Sequence, residues 1–202
     1  MSAAPCRVLA FAALAAALPS PALASLYTDA VETAVFRLCP DLRSGRISGE
    51  HPIELTRLGY RRTPEVEEDW TDAEDGAPYI FVRGSGADAI TVAYWPYPQL
   101  CNVIFGGERA AAALAQVKAR IARAPRVYRR VPAAEWSSDA RRHEAWRVVG
   151  RAPMCLAIDT PAAEGEPMSH EVSFEPLPPL QPALAISACA PARAPQTGRS
   201  PL

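Results

Sequence analysis

The chain has 202 residues, with 21 lysines and arginines against 22 aspartates and glutamates and a formal net charge of -1. That length suits one domain with a real core, and the near-neutral balance argues against nucleic acid as a partner. The charge is unevenly placed: Pro64 to Asp75 (PEVEEDWTDAED) holds seven acids and no base, while Lys118 to Arg151 holds ten bases against Glu135, Asp139 and Glu144. Two solvated surfaces that partly face each other account for this pattern. The functional alternative is a basic face for an anionic envelope polymer or lipid.

Met1 to Ala24 reads as a secretory signal. Arg7 and the amino terminus form a short positive region, Val8 to Leu18 (VLAFAALAAAL) is uninterruptedly apolar, and Ala22-Leu23-Ala24 gives the small-x-small pattern of a cleavage site. Cleavage is expected before Ser25. A membrane anchor would need roughly 20 apolar residues, and this run is far shorter. A lipoprotein would need a cysteine after the run, whereas Cys6 precedes it. No later segment is long and apolar enough to span a bilayer, so the sequence predicts a periplasmic or secreted protein.

The mature chain opens on Leu26, Ala30, Val31, Ala34, Val35 and Leu38, a helical stripe with Ser25 or Thr28 as its cap and Cys39-Pro40 as its end. A second short helix is expected from Pro52 to Leu58, closed by Gly59. The acidic segment with Trp70 reads as a loop. Tyr79 to Arg83 and Ala89 to Trp95 read as strands of a hairpin around Gly84-Ser85-Gly86-Ala87-Asp88. Pro96-Tyr97-Pro98 turns the chain into a third strand, Leu100 to Phe105.

Gly106-Gly107 leads into a helix from Glu108 to Arg123, whose buried stripe is Leu114, Val117 and Ile121. A glycine pair before a helix can bind phosphate, but the phosphate-loop pattern needs Lys-Ser/Thr where this chain has Glu108-Arg109. A glutamate there would itself satisfy the helix dipole, so a plain strand-to-helix turn is expected. Arg126 to Val131 alternates like an exposed edge strand. Trp146 to Val149 and Met154 to Ile158 read as one long or bulged strand around Gly150 and Pro153, and Asp159 to Ser169 as a loop. Val172 to Phe174 and Leu184 to Cys189 are short strand candidates, and Pro191 to Leu202 has little to bury and is expected to be disordered. The order predicts a single α+β domain over residues 25–190, an antiparallel sheet with two or three helices packed on one face.

Four cysteines remain after cleavage, Cys39, Cys101, Cys155 and Cys189, an even number in an oxidising compartment. Two disulfides are expected, in one of three arrangements. No two of these cysteines have the close spacing of a structural zinc site. Phe36-x-x-Cys39, Leu58-Gly59-Tyr60, Trp70 and Cys101-x-Val103 together resemble a pattern in small exported bacterial proteins of unknown function. The resemblance implies no activity. It implies pairing of Cys39 with Cys101, which leaves Cys155 for Cys189; the rival pairs Cys101 with Cys155 and Cys39 with Cys189.

Candidate chemistry is sparse. His51 precedes a helix-starting proline, and His143 lies among Arg141, Arg142 and Glu144 in a solvated context. His170 is the strongest histidine, because Asp159, Glu164, Glu166 and Glu171 stand near it as acid–base or metal-binding partners. Trp95 and Tyr97, in the run Tyr94-Trp95-Pro96-Tyr97-Pro98, could make a rigid platform for sugars or extended peptides, or else a corner that packs its own aromatics. No catalytic, cofactor or metal motif is complete. The expectation is a non-catalytic exported protein binding or modulating an envelope component, with a small hydrolase or metal-dependent enzyme around His170 as the alternative. Nothing in the sequence sets the oligomeric state.

Overall fold

The computed structural model describes residues 21–64, 77–137, 141–150, 154–161, 169–176 and Cys189. The expected signal core at 8–18, most of the acidic run, Glu164, Glu166, the strand candidate at 184–188 and the tail at 191–202 lie outside these residues.

The first apolar stripe forms α1 (Pro21–Thr33), whose buried side chains continue through a π-turn (Ala34–Leu38) into α2 (Cys39–Arg43). Two expectations change here. The helix starts at Pro21, so Ser25 lies within it instead of capping it, and the Thr28 hydroxyl donates to the Ser25 carbonyl at 3.0 Å. Nor does Cys39-Pro40 end the helix. Cys39 keeps helical angles (φ -60°, ψ -50°) and donates its N–H to the Ala34 carbonyl five residues back. That wider turn relaxes the clash between the Pro40 ring and the preceding turn, and Pro40 itself takes a first-turn position where its missing N–H is not needed. The second predicted helix is α3 (Ile53–Arg57), followed by Gly59 at φ +84°.

The strands are β1 (Arg61–Arg62), β2 (Tyr79–Arg83), β3 (Ile90–Trp95) and β4 (Leu100–Phe105), then, after α4 (Ala110–Arg123), β5 (Tyr128–Arg130), β6 (Trp136–Ser137), β7 (Arg141–Val148), β8 (Met154–Pro161) and β9 (His170–Pro176). The single long strand expected across Gly150 and Pro153 is instead two antiparallel strands, β7 and β8, paired from Arg141↔Pro161 to Val148↔Met154. The chain reverses between Val148 and Met154, and β7 reaches back through a polar stretch that carries no apolar signal. β8 also runs on through Asp159, where a loop was expected.

All described pairings are antiparallel, in the order β1-β2-β3-β4-β9-β8-β7-β5, with β6 also on β7. Two meanders thus meet at the central β4–β9 pair, giving a mixed α+β architecture. One core combines Val31, Val35 and Leu38 of the first helical segments and Val117 and Ile121 of α4 with Phe81, Val92, Val103, Phe105, Leu156, Ile158 and Phe174 of the sheet. Residues of opposite strand phase form two smaller clusters: Ile80, Ala93 and Trp95, and Ala134, Ala145 and Cys155. Among the described residues no helix is long and apolar enough to cross a membrane.

Candidate functional site

Cys101 is cross-linked. Cys39 and Cys101 form one disulfide and Cys155 and Cys189 the other, each with Cα atoms 5.6 Å apart. The first ties the start of α2 to the centre of the sheet; the second holds Cys189 against β8. A bonded sulfur is no nucleophile, and two bridges fit an oxidising compartment.

The adjoining glycine pair is a filled turn. Gly107 has φ +77°, and a Cβ there would lie 1.9 Å from the Asp88 Oδ1 carried in by the β2–β3 hairpin. Arg109 donates to the other Asp88 oxygen at 2.7 Å. The expected dipole partner Glu108 lies before α4, which has no acid in its first turn. Asp88 supplies the negative charge near this end instead.

The aromatic corner is split. Trp95 is 6% exposed and packs with Ile80 and Ala93, while Tyr97 is 75% exposed. The two rings are not presented together as a platform.

The histidines also depart from expectation. His170 begins β9 with its ring 5.5 Å from the Phe105 ring, and burial, then the charges of Lys118 and Arg141, push its pKa down. Strand alternation turns the next residue, Glu171, to the opposite face, so His170 and Glu171 do not form a pair. His143, expected in a solvated setting, is only 7% exposed and its Nδ1 lies 3.0 Å from Asp159 Oδ1. Alternation along β7 buries it although both neighbours in sequence are polar.

These positions form a polar row across four strands. Asp159 stands directly opposite both Glu171 and His143 in the register, and Asn102 Nδ2 donates to Glu171 Oε1 at 2.8 Å. Burial raises the Glu171 pKa, the Asp159 carboxylate adds to the rise, and Arg141 opposes it. Two carboxyl groups held side by side in a partly dry setting favour retention of a proton on one of them. Among the described residues, no three His, Cys, Asp or Glu side chains are arranged to hold a metal.

The basic stretch resolves into two sets. Lys118 is paired with Glu144, Arg120 with Glu32 at 2.6 Å and Arg130 with Glu135 at 2.5 Å. Arg123, Arg126, Arg129 and Arg147 are exposed and have no ion-pair partner among the described residues. The β5–β7 register sets Arg129 directly opposite Arg147 at one edge of the sheet. Like charges placed so are destabilising. The alternation of 126–131 carried the edge-strand expectation, but Arg147 as partner was invisible without the register.

Comparison of the chain with models of known protein families, with curated proteins and with solved structures finds no match.

Proposed function

We propose that this is an exported, non-catalytic protein that binds an anionic component of the cell envelope through the arginine edge formed by β5 and β7. The observation that carries the reading is the Arg129–Arg147 pair, set directly opposite in the register and without an acidic partner among the described residues. Lys118 and Arg130 of the same segment are paired with Glu144 and Glu135, yet at this edge the fold brings two positive side chains together, at a cost in stability that an anionic ligand would offset. We also read the helices as gathered on one face of the sheet. The core that holds α1, α2 and α4 contains Phe81, Val92 and Val103 and none of Ile80, Ala93 or Ala145. The arginine pair shares the strand phase of Ala145 and Cys155 and so would stand on the other face.

Export rests on the charged, apolar and small-residue order of residues 1–24, and the resemblance of Phe36-x-x-Cys39 and Cys101-x-Val103 to a pattern in small exported bacterial proteins agrees with it. Amino-terminal sequencing of the protein recovered from the envelope tests it: a Ser25 start is expected, and an intact Met1 would refute it. Binding is tested by co-sedimentation with isolated envelope. R129Q/R147Q should stay in the supernatant, and co-sedimentation equal to that of the unaltered protein would refute the assigned edge.

A second reading, a small hydrolase, is favoured by the Glu171–Asp159–His143 row. We place it second because His170, the residue that first suggested it, packs on Phe105.

A further inference from the structure

We infer that the anionic component is the surface of a lipid bilayer rather than a soluble polymer; this deepens the envelope-binding reading and rests on it. The large apolar side chains exposed among the described residues are Leu26, Ile53, Tyr97, Val127 and Val149. The two valines, 40% and 43% exposed, are neighbours at the arginine edge. The Val149 N–H donates to the Val127 carbonyl at 2.8 Å and the Val131 N–H to the Ala145 carbonyl at 2.9 Å. These bonds extend the β5–β7 ladder on both sides of the Arg129↔Arg147 pair. In such a ladder residues two apart project to one side, so Val127, Arg129, Arg147 and Val149 share a face.

A soluble polyanion would engage the guanidinium groups and leave both valines in water. An anionic bilayer satisfies both kinds of side chain. The long arginine stems let the charged heads stay among lipid phosphates while the short aliphatic groups settle into the upper acyl boundary. The contact would be peripheral and reversible. Its strength comes from about a fivefold gain per arginine near an anionic surface, augmented by the two valines.

The test uses the mature protein and three probes: vesicles of phosphatidylcholine alone, vesicles containing phosphatidylglycerol, and soluble dextran sulfate. Binding to the anionic vesicles should exceed that to the zwitterionic ones by about 25-fold for the two arginines. Val127→Ser with Val149→Ser should weaken vesicle binding about tenfold and leave dextran sulfate binding unchanged. Val127→Trp should tighten vesicle binding and shift the emission to the blue on contact, with a melting midpoint equal to the parent's showing that the variant is folded. Unchanged vesicle binding in the serine variant, without a gain from tryptophan, would overturn the lipid assignment while retained dextran sulfate binding left the anionic-ligand reading standing. Failure to bind either anionic probe would overturn both.

Discussion

Replacing Cys39 and Cys101 together by alanine removes the only covalent tie between the first helical segment and the centre of the sheet among the described residues. The bridge joins positions 62 residues apart, for which the chain-entropy relation gives about 4 kcal/mol at room temperature. Both half-cystines are fully buried in the main core, so the alanine pair also leaves the space of two sulfurs unfilled there. Total stability for such a domain is about 5–15 kcal/mol, and each kcal/mol moves the midpoint by about 2–4 °C at this size. C39A/C101A should therefore melt about 8–16 °C lower or fail to fold at the lower limit of that stability. C155A/C189A, which opens a separation of 34, has nearly the same entropic cost because the dependence is logarithmic. Thermal unfolding followed by circular dichroism compares the two, with non-reducing peptide mapping to establish the bridges in the parent. A Cys101–Cys155 peptide, or a midpoint for C39A/C101A within about 2 °C of the parent, would refute the reasoning.

Glu171 holds its proton to higher pH in the folded chain than in the unfolded one, so its contribution favours the fold at low pH and is lost as pH rises through the window above the ordinary carboxyl range. E171Q should raise the melting midpoint at pH 8 relative to the parent and shrink the gap at pH 4, and an equal shift at both would contradict the assigned cause. Trp95→Ala should lose about 3 kcal/mol or more in urea unfolding and Tyr97→Ala about 0.5 kcal/mol or less; the reverse order would contradict the packing of this corner. Arg147→Gln relieves the facing charge on Arg129 and should gain about 0.2–1 kcal/mol in the same assay at low salt. A loss would mean that Arg147 is structural.

The apolar periodicities were legible. The stripe Val31, Ala34, Val35 and Leu38 and the strands around Phe81, Val92 and Val103 are buried where the pattern placed them. What was illegible depends on pairings between distant segments. β7 begins in Arg141-Arg142-His143-Glu144, which has the composition of a solvated loop, and only its register with β8 buries His143 against Asp159. The polar row draws Asn102, Glu171, Asp159 and His143 from four strands, so no local spacing announces it. The π-turn was hidden because the rule that proline ends a helix assumes an α-helical turn before it.

The most direct measurement on the arginine edge is the salt dependence of binding to an anionic probe, carried out on the parent and on R129Q/R147Q. If both arginines displace counterions from the ligand, the slope of log affinity against log salt should become shallower by about two in the variant, with affinity lost chiefly at low salt. Equal slopes and equal affinities in the two proteins would contradict the account, because the facing arginines of β5 and β7 would then have no anionic ligand to meet.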